Sequence, residues 1–500
     1  MTSFSRRTFL QGLAAAPIAL GASGSVFAAT TPVRYDIATA DGARMLEIYA
    51  NAVRAMQGMG PDNPLSWSWQ WYTHFVNGAT NKAAELTRIF GDTPTPMRTL
   101  AEEVWNTCQS HSGQNASYFL PWHRFYVWTM ERIVRQVSGH PEFTMPYWDY
   151  CSADPARRGV LPEQFRLPND PVYDCLYRAN RTTLANSGQP IQLNQPGDAM
   201  DINDIMAKTA YNTVGSVTGF CRAIDSGIHG RIHTLVGNGR GMGAVPYAGN
   251  DPLFCVHHAN IDRIWASWNK NGNKNPTDPI AYPWITTSFA MADANGARIS
   301  RQVKNLYSAL QLGYDYDRFV PKPPVTTTTP PPTTTLAAKS AAATATRIAA
   351  AQTEADLGAT PTKVRMLRIS GTRKTDVLGL DTDNRRALLV LRKLHTWKQP
   401  EVLYHVYITA RPTDPVDNAH YVGAINFFDA EFHDHGGGSK LDEALGENFF
   451  SFDVTALLNT IAKKPHGVAA GSELYVTFVP GGRPVSGANP MVASIELVRQ

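Results

Sequence analysis

Residues 251–269 read DPLFCVHHANIDRIWASWN, and this stretch decides the fold. His258, Ile261, Trp265 and Trp268 recur at i, i+3, i+7 and i+10, the spacing of one buried helix face, so His258 is carried inward on an apolar stripe. Pro252 opens the helix, and the polar, glycine-containing residues 269–272 close it. Upstream, GIHGRIHTLVG places His229 and His233 at i, i+4, which on a helix stacks two imidazoles within reach of one metal ion. With His258 the set offers three neutral nitrogen donors. Three donors leave a coordination position open, as a reactive ion needs and a structural ion does not.

A second set lies nearer the start. The aromatic segment SWSWQWYTHFVNG carries His74 and closes at Asn77-Gly78. In CQSHSGQNASYFLPWHRFYVWTMERIV, Pro121 suits a first helical turn, which puts His123 at a helix start with Val127, Met130, Ile133 and Val134 continuing the buried side. His111, in the glycine-containing loop before it, is expected to fold back beside His123. Residues 43–57 form an amphipathic helix through Leu46, Ile48, Tyr49, Val53 and Met56, ending at Gly58. Two histidine triplets imply two metal ions. Imidazole suits copper, zinc or iron, and the scarcity of carboxylates beside these histidines argues against a di-iron site of the Glu-x-x-His kind, leaving copper favoured.

The rest of the sequence bounds the reading. Residues 1–28, with Arg6-Arg7-Thr8-Phe9-Leu10 before a short apolar run and small residues at 26–28, are expected to be a twin-arginine (Tat) signal peptide, directing the protein to the periplasm or the medium. With 43% hydrophobic and 10% aromatic residues the chain can bury substantial cores, and a net charge of +4 without a basic cluster speaks against nucleic acid. No later apolar run reaches a membrane span. The five cysteines form no disulfide framework, with one Cys151–Cys175 bridge left open.

From residue 321 the composition changes. Residues 321–362 are a Pro/Thr/Ala-rich linker with an Ala-rich stretch able to form a short helix. Residues 363–500 hold seven or eight strand-like runs, among them ALLVLRKL, EVLYHVYITA, HYVGAINFF and ELYVTFVP, expected to form a β-sandwich of jelly-roll type. His433-Asp434-His435, before three glycines, reads as an exposed turn rather than a metal site. The expected fold is thus a mainly α, helical-bundle dinuclear metal domain over 29–320 followed by a β-sandwich domain.

PWHRFYVWTMER (121–132) and DPLFCVHHANIDRIW (251–265) resemble the two copper signatures of the tyrosinase and catechol oxidase (polyphenol oxidase) family of type 3 dinuclear copper proteins, across residues 34–318. The resemblance implies two copper ions, one held by His74, His111 and His123, the other by His229, His233 and His258, with His258 rather than His257 the ligand of the doublet. Phe254 resembles the family's gate residue and, with His257, is expected to shape the entrance. Tyr314-Asp315-Tyr316 resembles the Tyr-x-Tyr motif that ends the copper domain and pairs with an early arginine, here Arg34.

The chain also departs from the pattern. Eleven residues separate His111 from His123, more than is usual in the family, and Cys108 stands three before His111, near where some relatives form a thioether to histidine; a plain buried thiol is the other reading. A family carboxylate before the first histidine of the second site, with Asn directly after that histidine, holds a water that deprotonates a phenol. Here Asp225 and Gly230 take those places, so Asp225 is the candidate base, or else a helix cap. Residues 363–500 resemble the C-terminal domain of plant polyphenol oxidases, which covers the copper site and keeps the proenzyme latent.

The implied activity is oxidation of phenols by dioxygen, hydroxylating monophenols such as tyrosine and converting o-diphenols to o-quinones, with a copper-delivery protein as an implied partner. Catechol oxidation alone, a haemocyanin-like dioxygen carrier and a zinc hydrolase are the alternatives.

Overall fold

The helix read from residues 251–269 runs Leu253–Lys270, beginning after Pro252. The computed structural model describes residues 31–109, 116–324, 345–369, 385–431, 449–463 and 473–500. The expected leader, His111, most of the Pro/Thr run and residues 433–435 lie outside the described residues. Helix Leu253–Lys270 packs against helix Phe119–Ser138, and Ala40–Gln57 packs against the latter in turn. Each boundary has a local cause. Thr39 accepts the Gly42 N–H at the start of Ala40–Gln57, Gly58 follows its end, and Phe119–Ser138 stops at Gly139 in the left-handed conformation, φ 71°.

A buried ion network ties the two central helices together. Val33–Arg34 pairs in parallel with Asp315–Tyr316, which brings Arg34 over Asp262 and Glu131. Arg34 donates to Glu131 Oε2 at 2.8 Å and to Asp262 Oδ2 at 3.1 Å, while the Tyr314 and Tyr316 hydroxyls each donate to Asp262 Oδ2 at 2.5 Å. Arg124 donates to Asp262 Oδ1 and lies 3.7 Å from the Trp265 ring centre, as Arg34 does from that of Tyr314. Burial works to raise the Asp262 carboxyl, and the Arg124 and Arg34 guanidiniums overcome it, so the carboxyl stays below its ordinary range. The pairing of Arg34 with the Tyr-x-Tyr motif is as the sequence implied.

Long irregular connections join these helices, so the expected bundle describes the core around the site rather than the whole first half. The five cysteines are free thiols, and the bridge left open between Cys151 and Cys175 is not formed. No helix among the described residues is long and apolar enough to cross a membrane.

The C-terminal half is a nine-stranded antiparallel sheet. Its order is Tyr421–Ile425, Tyr404–Thr409, Glu473–Pro480, Thr362–Arg368, Thr346–Ala351, Met491–Arg499, Ala387–His395 and Phe449–Asp453, with Ala355–Asp356 also on Met491–Arg499. The first and last strands of this order approach each other, giving a nearly closed, barrel-like sheet where two stacked jelly-roll sheets were expected. Two further expectations are corrected. Residues 346–351 and 355–356, assigned to the linker, are strands, and the Ala-rich TRIAAA is extended rather than helical because it pairs along the final strand. The run ALLVL is apolar throughout because both faces of its strand are covered. Leu389 and Leu391 point into the main core of the sheet, while Leu388 and Val390 join Phe449 and Val498 in a small cluster reached by Val217 of the helical half.

Replacing Asp262 by Ala strands Arg34 and Arg124 in the interior without their shared anion. The expected result is a loss of about 3–5 kcal/mol of unfolding free energy, read by denaturant titration followed by tryptophan fluorescence.

Candidate metal centre

The helices deliver buried imidazoles to one place. His74 is the last residue of Trp67–His74, and its ring lies 4.7 Å from Phe254 and 5.9 Å from His123. His123, one turn into its helix, points Nδ1 at the Phe119 carbonyl, 2.9 Å away. His229 Nδ1 meets the Asp225 carbonyl at 3.1 Å, and His233 Nδ1 meets the Met242 carbonyl at 2.7 Å. A carbonyl oxygen accepts and never donates, so these three rings carry their proton on Nδ1 and keep the Nε2 lone pair for a metal.

The segment between the sets is not a continuous helix. Ala223–His229 is wound as a π-helix with Gly227 out of helical conformation at φ −85°, ψ −108°, and the α-helix resumes as Gly230–Val236. His229 and His233 still meet, 4.5 Å apart at 79°, across that junction. Such π turns recur at functional sites because they re-aim one side chain without ending the helix.

His258 stacks face to face on His123, 4.2 Å apart at 8°, and this contact joins the two sets. The donor atoms of His229, His233, His257 and His258 all lie within 4.8 Å of one another, as do those of His74, Cys108 and His123. Of the six histidines read as ligands, the structure brings five together in these two groups, with His257 joining the larger one; His111 lies outside the described residues.

His257 and Phe254 are both buried. His257 is fully buried, 4.9 Å from His233, and neither of its ring nitrogens has a hydrogen-bond partner among the described residues. Phe254 is buried against His258 at 4.2 Å and His74 at 4.7 Å, so it packs between the two sets. Cys108 Sγ lies 3.6 Å from His123 Nε2.

The electrostatics favour a cationic guest. Burial pulls the pKa of His74 and His229 down to about 3, with His233 and His229 adding to the effect on His74, and it holds His123, His233, His257 and His258 well below the ordinary value. All are therefore neutral donors at physiological pH. His233 Nε2, His74 Nδ1 and both nitrogens of His258 have no hydrogen-bond partner among the described residues. Converging buried lone pairs of this kind, without a carboxylate in either donor group, fit copper. Asp225, one turn before His229, is buried, and burial pushes its carboxyl well above the ordinary range against the pull of Arg222.

The sequence reading assigned no site residue beyond the linker, yet three residues of the C-terminal sheet reach the centre. Strand Tyr421–Ile425 ends before Asn426, and the turn that follows brings Phe428 face to face with His233, 4.0 Å apart at 9°, and edge-on to His229 at 5.5 Å and 82°. Asn426 Nδ2 donates to the Ser226 carbonyl at 2.8 Å. Asp429 lies near Asp225, partly buried: desolvation pushes its carboxyl up and the Asp225 charge adds to the rise, against the pull of Arg222. The segment AINFFDA resembles the end of any buried strand, so nothing local marked it.

Residues 64–174 and 164–271 match the family model described as the common central domain of tyrosinase. The chain is 28% identical over 444 residues to tyrosinase HcTyr1 of Hahella sp. (strain CCB-MM4), covering 84% of this chain and 89% of that one. It is 26% identical over 470 residues to the (+)-larreatricin hydroxylase of Larrea tridentata, covering 87% and 73%. A match to polyphenol oxidase C of Solanum lycopersicum, 26% over 293 residues, spans 42% of that protein. Among solved structures, latent apple tyrosinase shares the fold with a TM-score of 0.58 at 19% identity, covering 93% of this chain and 96% of that one. A latent aurone synthase gives 0.58 at 20%, covering 94% and 89%. Both likenesses span the helical half and the strand-rich half together. Residues 64–271 thus carry the common central domain of tyrosinase, and proteins of that family bind a dinuclear copper centre.

Proposed function

We propose that this protein oxidises phenols with dioxygen, hydroxylating monophenols such as tyrosine and converting o-diphenols to o-quinones. In this reading His74, His111 and His123 hold one copper ion, and His229, His233 and His258 hold the other. The observation that carries the reading is the Phe428 ring, stacked flat on His233 with its face at van der Waals distance. A site that accepts a six-membered aromatic ring there accepts a phenol in the same plane.

Copper bound by these imidazoles supplies dioxygen binding and a two-electron oxidation. The chain's own residues supply the rest. His233 offers the face on which the substrate ring stacks, and Phe254 packs the two histidine sets into fixed orientations. Asp225 receives the phenol proton; burial holds its carboxyl above the ordinary range, which makes the ionised form a stronger base. Phe428 has to leave before a phenol enters, so the C-terminal sheet is a shield and the intact chain a latent form. The twin-arginine leader fits this picture, since that route exports proteins already folded.

The deciding experiment measures oxidation of tyrosine and of dopa by the copper-loaded chain, before and after cleavage within the Pro/Thr run. Quinone from both substrates after cleavage supports the reading, quinone from dopa alone narrows it to catechol oxidation, and reversible oxygenation without quinone makes the protein a carrier. Phe428→Ala is expected to raise dopa oxidation by the uncut chain at least about tenfold, because truncating a packed phenylalanine removes most of its contact energy. His233→Ala is expected to lower bound copper from two ions per chain to about one by elemental analysis, and to abolish quinone formation.

A further inference from the structure

Gly230 directly follows His229 and adopts φ −61°, ψ −28°, an ordinary right-handed conformation open to any residue. The backbone therefore does not require glycine; space does. A Cβ at position 230 would lie 2.5 Å from Oδ1, 2.8 Å from Nδ2 and 2.9 Å from Cγ of Asn426. That carboxamide is buried, one residue beyond strand Tyr421–Ile425, and both of its ends are engaged. Nδ2 donates to the Ser226 carbonyl at 2.8 Å, and Oδ1 accepts the Phe428 N–H at 3.2 Å. One side chain thus grips the helical segment that carries His229 and fixes the backbone that carries Phe428. From its own domain the same turn is held by Gln399, whose Nε2 donates to the Phe427 and Phe428 carbonyls at 3.1 Å each.

We infer that Gly230 and Asn426 form a notch and key that position Phe428 over His233, so that the size of residue 230 sets whether the intact chain admits a phenol. The inference rests on the phenol-oxidising reading for its consequence, and on the contact alone for its geometry. With glycine at 230 the carboxamide seats against the helix, its bond to Ser226 closes, and Phe428 is presented flat to the imidazole. With alanine the methyl occupies the carboxamide's place. The carboxamide is bonded at both ends, so making room for the methyl opens the Ser226 bond and lifts the turn. The copper half itself tolerates the change, since alanine at a helix start is a better helix former than glycine. Asn426 is in this sense a positioning residue that acts through Phe428 and touches no substrate.

The test uses the full uncut chain as Gly230→Ala, Asn426→Gly and the double variant, with copper per chain as the control for folding. Each single change is expected to raise dopa oxidation on the order of tenfold, as overpacking or loss of one buried contact does. The double change is expected to go no further than the larger single one, because both break the same contact. Independently of turnover, the metal-free Gly230→Ala chain is expected to exchange the backbone amides of residues 426–430 faster than the parent, read by mass spectrometry. Additive effects of the two changes, or unaltered exchange at 426–430 in Gly230→Ala, overturn the inference. A chain that forms no quinone in any variant, yet shows the faster exchange, refutes the enzyme reading and leaves the notch standing.

Discussion

The structure depends on keeping a group of neutral imidazoles dry, close together and pointed at one another. Burial drives every one of them to the uncharged form, and carbonyls fix the proton of three of them on Nδ1. Lone pairs gathered in this way repel and go unsatisfied unless a cation sits between them, so the arrangement survives only inside a rigid frame. The Asp262 network is that frame. His258 and Asp262 are one turn apart on helix Leu253–Lys270, and His123, Arg124 and Glu131 share helix Phe119–Ser138. By pairing Arg124 with Asp262, and Arg34 with both Asp262 and Glu131, the chain locks the two helices just behind the faces that carry the stacked His123 and His258 rings. Closing the network needs Val33–Arg34 and Asp315–Tyr316, from the two ends of the helical half, to pair as a short sheet.

The second half of the chain completes this interior. Without it, His233 and His229 would face solvent on the side that Phe428 covers. Phe428 and Leu403 belong to the same apolar cluster as the helices, so the sheet and the copper half share one core at this point. The sheet also presents a partly buried acid, Asp429, to Asp225, whose charge makes the Asp429 carboxyl harder to ionise. The centre is therefore built by both halves, though among the described residues its histidine donors come from one.

What could be read from the sequence follows from how far each signal reaches along the chain. His258, Ile261, Trp265 and Trp268 lie on one helix, where the 3.6-residue period is a local fact, and helix Leu253–Lys270 appeared where the period placed it. His229 and His233 were legible as an i, i+4 pair, but the π turn at Ala223–His229 was not, because Gly227 leaves helical conformation to suit contacts made by distant residues. TRIAAA favours helix by composition and became a strand because the last strand of the chain offered it a partner about 150 residues away. The burial of His257 depends on how the helix rotates against Tyr150 and His229, which no spacing reports. Asn426, Phe428 and Asp429 lay beyond reach for the same reason, since their partners are roughly 200 positions upstream.

The contacts between the halves have the character of an interface that can open. Around the apolar plug run hydrogen bonds of ordinary strength: Gly239 N–H to Glu401 at 2.7 Å, His405 to Gln195 at 2.8 Å, Ser451 to the Ser216 carbonyl at 2.6 Å, and the Gln500 side chain to Ser216 and Val214. Each of these groups finds water as a substitute partner once exposed, so separation leaves few polar groups stranded. The Arg34, Arg124, Glu131 and Asp262 network has no such substitute in reach of its buried charges. The chain thus places its costliest interactions behind the histidines, where the geometry has to be permanent. Its exchangeable ones lie in front, where a substrate has to enter, and a single stacked phenylalanine sits at the boundary between the two.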